Sequence, residues 1–238
     1  MKNFVYCLLF LACVFGLSSC ERQVKKSLPE GIEREKRTCD VTDFERIEVN
    51  AFCDVKFVQD GLTRVVIEGR KKDLDRLSVQ VKDETLVIGY DEKKTGSHRR
   101  DVSGYKRVRV LVSSPDLIAL NMKAAGSIET EGLLDTDTLD VVVHGAGNVE
   151  FERVVCDVLQ LQLQGAGNVE FDKLTAQHSN ISLRGVGNID VDFENSGTAD
   201  CRLDGVGNIG LKGTLNQLKK DVRGVGRIDT NGLKETQP

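Results

Sequence analysis

The sequence predicts an all-β protein of the right-handed parallel β-helix class, a solenoid with coils of about 20 residues. The first observation is a repeated G-[AV]-G motif whose first glycines stand at positions 145, 165, 185, 205 and 224, and a fixed period of this length is typical of solenoids. The second is that apolar and polar residues alternate between the motifs, as in strands with one buried face. The third is that a coil of this length is too short for a βαβ unit of about 30 residues.

Each coil is predicted to contain three short strands. Residues 159–164 alternate strictly, and Val149 and Phe151 place apolar side chains on the inward face of the strand that follows the motif. The motif itself turns the chain, because glycine permits positive φ and close backbone approach and asparagine tolerates the same conformations. The predicted turn residues are Gly145, Gly147, Asn148, Gly165, Gly167, Asn168, Gly185, Gly187, Asn188, Gly205, Gly207, Asn208, Gly224 and Gly226.

Residues 1–19 are predicted to be a signal peptide. A mostly apolar run over residues 4–16 is too short to span a membrane. Leu17-Ser-Ser-Cys20 resembles a bacterial lipobox, so Cys20 is predicted to carry lipid; an ordinary signal peptide cut nearby is the alternative. Residues 20–38 are then the lipidated cysteine and a charged, flexible tether. The sequence therefore predicts lipid anchoring in the bacterial cell envelope, at the outer membrane. Both the periplasmic face and the surface face of that membrane are open.

Five copies of the motif behind a lipoprotein signal resemble the auto-transporter adhesin "head GIN" domain family. The resemblance covers about residues 40–230. It implies a right-handed β-helix, a location in the envelope and, as a hypothesis, adhesion. The last copy departs from the family pattern, because Arg227 stands where the motif expects asparagine.

Residues 39–238 are predicted to form a single β-helix domain. Residues 39–116 lack the glycine motif but contain several short strand patterns, and we predict that they form irregular first coils and the cap that a solenoid needs. Residues 117–230 are predicted to form the regular coils. A single helical turn is predicted within residues 71–77.

Four cysteines lie outside the predicted signal peptide and the lipidated position. Cys156 and Cys201 fall on different sides of the predicted coil, so buried free thiols are expected there. In an oxidising compartment, a Cys39–Cys53 bridge that staples the cap is the alternative to free thiols at those positions. No C-x-x-C spacing indicates a zinc site.

A basic segment interrupts the strand patterns at residues 93–109, where seven lysines and arginines face Asp101 alone. We expect a loop that protrudes from one edge of the solenoid. A merely solvated loop is one interpretation, and binding of an anionic glycan or phosphate is the other. The candidate ligand-binding residues are Arg99, Arg100, Lys106 and Arg107.

The 20-residue register also predicts two polar columns. The motif asparagines form one column, interpreted as a turn-stabilising ladder of stacked amides, with a ligand surface as the alternative. Glu150, Glu170 and Asp190 belong to an acidic column whose like charges repel across paired strands. We expect solvent, salt and the nearby Arg153 and Lys173 to offset this repulsion, without a metal; a divalent cation is the alternative.

Several function classes are disfavoured. A net charge of −4 argues against nucleic-acid binding. The glycine motif lacks the G-x-G-x-x-G spacing and the following helix of a dinucleotide site, so no cofactor is predicted. The three histidines are scattered, and the register brings no serine or cysteine beside them for a catalytic triad. Tryptophan is absent and aromatic residues are few, which argues against a sugar site built on aromatic platforms.

We therefore predict a non-enzymatic adhesion, binding or scaffolding module that is attached to the membrane through lipid and has a glycan or protein ligand. A polysaccharide lyase or hydrolase is the first alternative, although coils nearly free of insertions leave little room for a catalytic cleft. A purely structural module that stacks end to end into homo-oligomers is the second alternative.

Overall fold

A computed structural model of the chain describes residues 34–91 and 108–236, and most of them lie in strands. The predicted fold class is confirmed, because the motif-bearing residues form stacked parallel coils of a β-solenoid. The regular coils consist of β9 (Ala125–Asp135), β10 (Thr138–Val143), β11 (Ala146–Leu163), β12 (Ala166–Leu183), β13 (Val186–Leu203), β14 (Val206–Val222) and β15 (Val225–Glu235).

Neighbouring coils pair in parallel and in register. Val149 lies opposite Val169, which in turn lies opposite Ile189. The hydrogen-bond ladder continues through the motif, where the Gly165 amide donates to the Val143 carbonyl over 2.9 Å. The three short strands predicted for each coil are joined into one bent strand of 18 residues in β11, β12 and β13. The pairing register shifts within these coils, for example between Phe193 and Ser196.

Apolar columns fill the interior of the solenoid. Val149, Val169 and Ile189 are buried, and so are Phe151 and Phe171. The rings of Phe151 and Phe171 stack with centroids 4.5 Å apart and planes inclined by 9°. A single coil cannot bury such a face alone, so stacking supplies the core.

The strands before the first regular coil stack out of sequence order. The coil formed by β2 (Arg46–Val49) and β3 (Cys53–Gln59) lies against β8 (Ala119–Met122) and β9. Its other side pairs in parallel with β6 (Thr85–Tyr90) and β7 (Val108–Ser114). Residues 46–59 are therefore inserted between two coils that follow them in the sequence.

Antiparallel strands close this end of the solenoid. They are β1 (Glu35–Cys39), β4 (Arg64–Gly69) and β5 (Leu77–Lys82), with the predicted helical turn present as α1 (Lys71–Leu74). β4 pairs with β7, β1 pairs with β4, and β5 pairs with β6.

The predicted tether is too long at its C-terminal end, because residues 35–38 belong to β1. Arg37 bonds to both Glu35 and Asp75, and Lys36 forms an ion pair with Glu68. These contacts tie the segment to the cap. Cys20 and the rest of the predicted tether up to residue 33 lie outside the described residues. Within the described ranges, no helix is long and apolar enough to cross a membrane.

Candidate functional site

A groove of about 550 Å³ crosses the outer face of β11, β12, β13 and β14. Its lining comes from the last third of each coil, where alternate side chains point outward. Parallel in-register strands lie about 4.8 Å apart, so the outward residues of four coils form one continuous surface. We call this surface the lateral groove; its principal residues are Gln160, Asn180, Ser182, Arg184, Asp200, Arg202, Lys219, Asp221 and Arg223.

Two arginines are held in place within the lateral groove by one carboxylate. Arg202 donates from Nε and Nη2 to Asp221 Oδ2 over 3.3 and 3.1 Å. Arg223 Nη2 lies 2.8 Å from the same oxygen. Burial by itself raises the pKa of the Asp221 carboxyl, but the hydrogen bonds from Arg202 and Arg223 outweigh burial and leave the pKa below its ordinary value. Asp221 is therefore ionised at neutral pH and fixes both guanidinium groups.

Other groups of the groove are uncommitted. Arg184 forms no ion pair within the part of the chain that the structure describes. Ser182 Oγ is buried and has no hydrogen-bond partner among those residues. By contrast, Lys219 pairs with Asp200 over 3.0 Å. The groove thus offers both free charge and free hydrogen-bonding capacity.

A smaller hollow of about 410 Å³ adjoins the lateral groove and shares Asn180, Asp200 and Lys219 with it. His178 lies in this hollow, where Nδ1 is 2.9 Å from Thr198 Oγ1. The polar surface therefore extends toward the middle of each coil.

The predicted turn glycines lie directly against the preceding coil. A Cβ built on Gly165 would lie 2.0 Å from the Gly145 carbonyl oxygen, and one built on Gly167 would lie 1.8 Å from the Gly147 oxygen. Gly167 also has a φ of 151°, outside the range that other residues favour. A side chain at these positions would force the coils apart.

The motif asparagines form a side-chain ladder. Asn168 donates from Nδ2 to Asn148 Oδ1 over 3.1 Å, and Asn188 donates to Asn168 over the same distance. Asn208 continues the ladder over 3.3 Å. Each of these three amides donates toward the N-terminal end. Arg227, the departure from the motif, lies opposite Asn208 in the next coil and pairs with Asp229 over 3.5 Å.

The acidic column does not converge on a metal site. No group of three histidine, cysteine or acidic side chains is arranged to hold a metal ion in the described residues, and this includes Glu150, Glu170 and Asp190. Burial, followed by the neighbouring carboxylates Asp172, Glu129 and Glu170, raises the pKa of Glu150. The like charges therefore repel, as their column predicts.

Nearby cations pair with acidic residues beside this column. Lys173 Nζ lies 3.0 Å from Asp192, and Arg153 Nη1 lies 3.3 Å from Glu194. Both pairs are on the protein surface, where such interactions contribute modestly. They place positive charge close to the column without bonding to its members.

Most of the predicted basic loop lies outside the described residues. Arg99, Arg100, Lys106 and Arg107 lie outside the described residues, which resume at position 108. Arg109, at the end of the same basic run, belongs to β7 and lies opposite Asp54 on one side and Glu68 on the other. Its position between two acidic residues suits a structural contact.

The alternative of a Cys39–Cys53 disulfide is wrong, because both thiols are free. β4 and β7 lie between β1 and β3, so the strands that carry the two cysteines are roughly 14 Å apart, which is twice the reach of a disulfide. Burial, and secondarily Asp54, raises the pKa of Cys53 to about 12. Burial also raises the pKa values of Cys156 and Cys201 to about 12. Such thiols are unreactive at neutral pH.

The fold and its surface define a regular parallel β-solenoid with an exposed polar groove. The family described as "Putative auto-transporter adhesin, head GIN domain" matches residues 43–190 and 161–237. The chain belongs to this family. Membership supports a non-enzymatic binding role and indicates a bacterial cell-surface or envelope protein.

Solved structures share the fold over most of their length. A "putative adhesin" from Bacteroides fragilis is 26% identical, with a TM-score of 0.70 over 84% of this chain and 97% of that one. A "putative adhesin" from Parabacteroides merdae is 16% identical, with a TM-score of 0.62 over 83% and 95%. A "putative lipid binding protein" from Parabacteroides distasonis is 19% identical, with a TM-score of 0.63 over 82% and 96%. Comparison with curated proteins gives no match.

Proposed function

We propose that this protein is a non-enzymatic adhesion module, anchored by lipid at Cys20 to the outer membrane of the bacterial envelope. Family membership supports the binding role, and the lipobox-like Leu17-Ser-Ser-Cys20 supports the anchor. The solenoid then carries the binding surface. Its ligand is a glycan or a protein outside or within the envelope.

The observation that carries this proposal is the lateral groove on the outer face of the solenoid. Its volume of about 550 Å³ is within the range of sites that hold small ligands. Adjacent coils contribute its side chains from paired strands, so their spacing is fixed by the backbone ladder rather than by loops. A preformed surface of this kind suits binding, since little order must be gained on association.

An array of immobilised glycans and extracellular-matrix proteins tests the binding role. The full-length protein, purified in detergent, should give saturable binding to at least one class of ligand, and the urea-unfolded protein should give none. Absence of saturable binding to every glycan and matrix protein would contradict adhesion. Release of new reducing ends from a bound polysaccharide would favour the enzymatic alternative instead.

Metabolic labelling tests the anchor separately. Cys20→Ala should abolish labelling with a palmitate analogue and release the protein from the membrane fraction. Cys39→Ala is the matched control, because it removes a thiol outside the lipobox, and it should label and sediment like the wild type. A Cys20→Ala protein that still labels and sediments with membranes would refute lipid anchoring.

A further inference from the structure

The lateral groove is basic although the protein as a whole is acidic. Four cationic side chains line it against two carboxylates, whereas the chain carries a net charge of −4. A concave surface with an excess of one sign of charge attracts ligands of the opposite sign more strongly than a flat one does. The cationic residues are Arg184, Arg202, Lys219 and Arg223.

Two of these cations are already positioned for an anionic group. Arg202 and Arg223 come from adjacent coils and both bond to Asp221, which orders their guanidinium groups at the groove. Asp221 occupies only part of their donors, since each guanidinium group carries five N–H bonds. The remaining donors can bind a carboxylate or sulfate group in the bidentate geometry that arginine favours.

Neutral polar groups adjoin the cations. Gln160, Asn180 and Ser182 line the same groove, and the buried Ser182 hydroxyl has no partner among the described residues. No aromatic side chain belongs to the described lining, so the stacking platforms used for neutral sugars are missing there. Recognition must therefore rely on charge and on hydrogen bonds to hydroxyl groups.

We propose that the lateral groove binds an anionic polysaccharide. Arg202 and Arg223 take its carboxylate or sulfate groups, Arg184 supplies further charge, and the neutral side chains bond to its hydroxyl groups. This inference rests on the proposed adhesion function and names the ligand class of that same surface. It is independent of the basic loop at residues 93–109, which lies largely outside the described residues.

Binding of the full-length protein, purified in detergent, to three immobilised polymers tests the inference. Polygalacturonate presents carboxylates, dextran sulfate presents sulfates, and unmodified dextran is neutral. At least one anionic polymer should bind about tenfold or more tightly than dextran, and raising the salt from about 0.05 to about 0.5 M should weaken this binding. The anionic polymer that binds more tightly identifies which group the groove prefers. Equal binding to all three polymers would overturn the inference.

Paired substitutions locate the site. Arg202→Gln with Arg223→Gln should weaken binding to the preferred polymer about tenfold or more, as expected when bidentate contacts are lost. Arg153→Gln with Arg227→Gln is the matched control, because it also removes two ion-paired surface arginines from the same half of the solenoid. The control should change binding less than about twofold. Equal losses in both variants would show general charge attraction and refute a site in the groove.

Arg184→Gln keeps the test decisive if the double variant unfolds. Arg184 has no ion pair in the described residues, so its loss leaves the fold intact and should still weaken binding about threefold or more. Unchanged binding in this variant would count against the groove. A DNA oligonucleotide that binds as tightly as the preferred polymer would show that charge alone is read, and would overturn the polysaccharide assignment.

The outcomes separate this inference from the proposed function. Saturable binding to a neutral glycan or a protein, retained in the groove variants, would leave adhesion standing and refute the anionic polysaccharide. Absence of binding to every ligand would refute both.

Discussion

Gly187→Ala should damage the solenoid far more than an ordinary surface substitution. Gly187 has a φ of 150°, and a Cβ at this position would lie 1.7 Å from the Gly167 carbonyl oxygen and 2.8 Å from its carbon. Close carbon–oxygen contacts in proteins are about 3.3 Å or longer, so the two backbones would have to separate by roughly 1.5 Å. The contact is with backbone in a paired strand, and no side chain can rotate away to make room.

The expected loss of stability follows from three contributions. The unfavourable φ costs about 1–3 kcal/mol for a residue other than glycine. Overpacking costs about 1–3 kcal/mol, and each ladder hydrogen bond that the separation breaks costs a further 0.5–1.5 kcal/mol or so. We therefore expect a loss of roughly 3–6 kcal/mol, which is a large share of the approximately 5–15 kcal/mol that stabilises a typical domain.

Urea unfolding of four variants separates these contributions. Gly187→Ala combines strain and clash. Gly132→Ala isolates strain, because its φ is 77° but nothing lies within 4 Å of its Cβ position. Gly145→Ala isolates the clash, with Cβ 1.8 Å from the Ala124 oxygen and φ outside the left-handed region. Gly61→Ala is the control, since it has neither. The reasoning is refuted if Gly187→Ala has the same urea midpoint as Gly61→Ala.

Two further predictions concern surface charge. Asp221→Asn makes the groove more positive but releases Arg202 and Arg223. If the positions of these two arginines decide affinity, the preferred anionic polymer should bind severalfold more weakly. Tighter binding would show that the net charge of the groove decides affinity. The pKa of Glu150 in the folded state is raised above its ordinary value of 4.5. The contribution of Glu150 to stability is therefore fully present below pH 4.5 and is lost as the pH rises through the raised pKa. Glu150→Gln should therefore be slightly more stable than the wild type at about pH 7, by less than about 1 kcal/mol, and lose this advantage near about pH 4. A stability difference that is constant with pH would contradict this.

The regular coils could be predicted because each carries its own local signal. The glycine motif marks the corner at which backbones approach, and strict alternation such as that of residues 159–164 marks the buried face. Once the period is known, the register follows without further information, and Asn168 is opposite Asn188 for that reason. Continuity of the strands around the corners could not be predicted, because it depends on backbone bonds that side-chain patterns do not encode.

The order of the first coils could not be predicted in the same way. Cys53 occupies the position of a motif glycine, opposite Gly126, although it lies 73 residues away and the surrounding sequence has no G-x-G pattern. Pairing between segments so distant in sequence leaves no periodic signal. The pairing of β1 with β4 could not be predicted either, because the charged residues of β1 resemble those of a flexible tether.

The lateral groove was missed because its residues come from coils of unequal length. Asp190 lies 20 residues before Gly210, but Ser196 lies only 19 before Leu215. Asn195, with a φ of 50°, lies in the interval where β13 contains one extra residue. A strict 20-residue register therefore misplaces residues 219–223 and hides the meeting of Arg202 with Asp221. The charged residues at these positions were visible in the sequence. To align them with the preceding coil, the register had to be shortened to match the reduced spacing to Gly224.

The last coils bear on whether the solenoid stacks end to end. Lys220 lies opposite Cys201, in a column that is apolar in every preceding coil. Two residues on, Val222 is 47% exposed, whereas Leu203 opposite it is fully buried. A lysine in the terminal core column resists continuation of the stack, because a further coil would bury its charge. This arrangement is typical of a capping repeat and argues against assembly through the C-terminal end.

Lys220→Val tests this interpretation. The substitution restores the apolar column beside the exposed Val222, so the end of the solenoid should become adhesive and the protein should self-associate as its concentration rises. Lys219→Val is the matched control, because it removes the same charge from the adjacent position, which faces outward beside Asp200. Sedimentation velocity over a range of concentrations distinguishes the two. Association of Lys220→Val alone supports a cap, whereas wild-type protein that already associates, and loses this on Lys220→Glu, would show that the end is an interface rather than a cap.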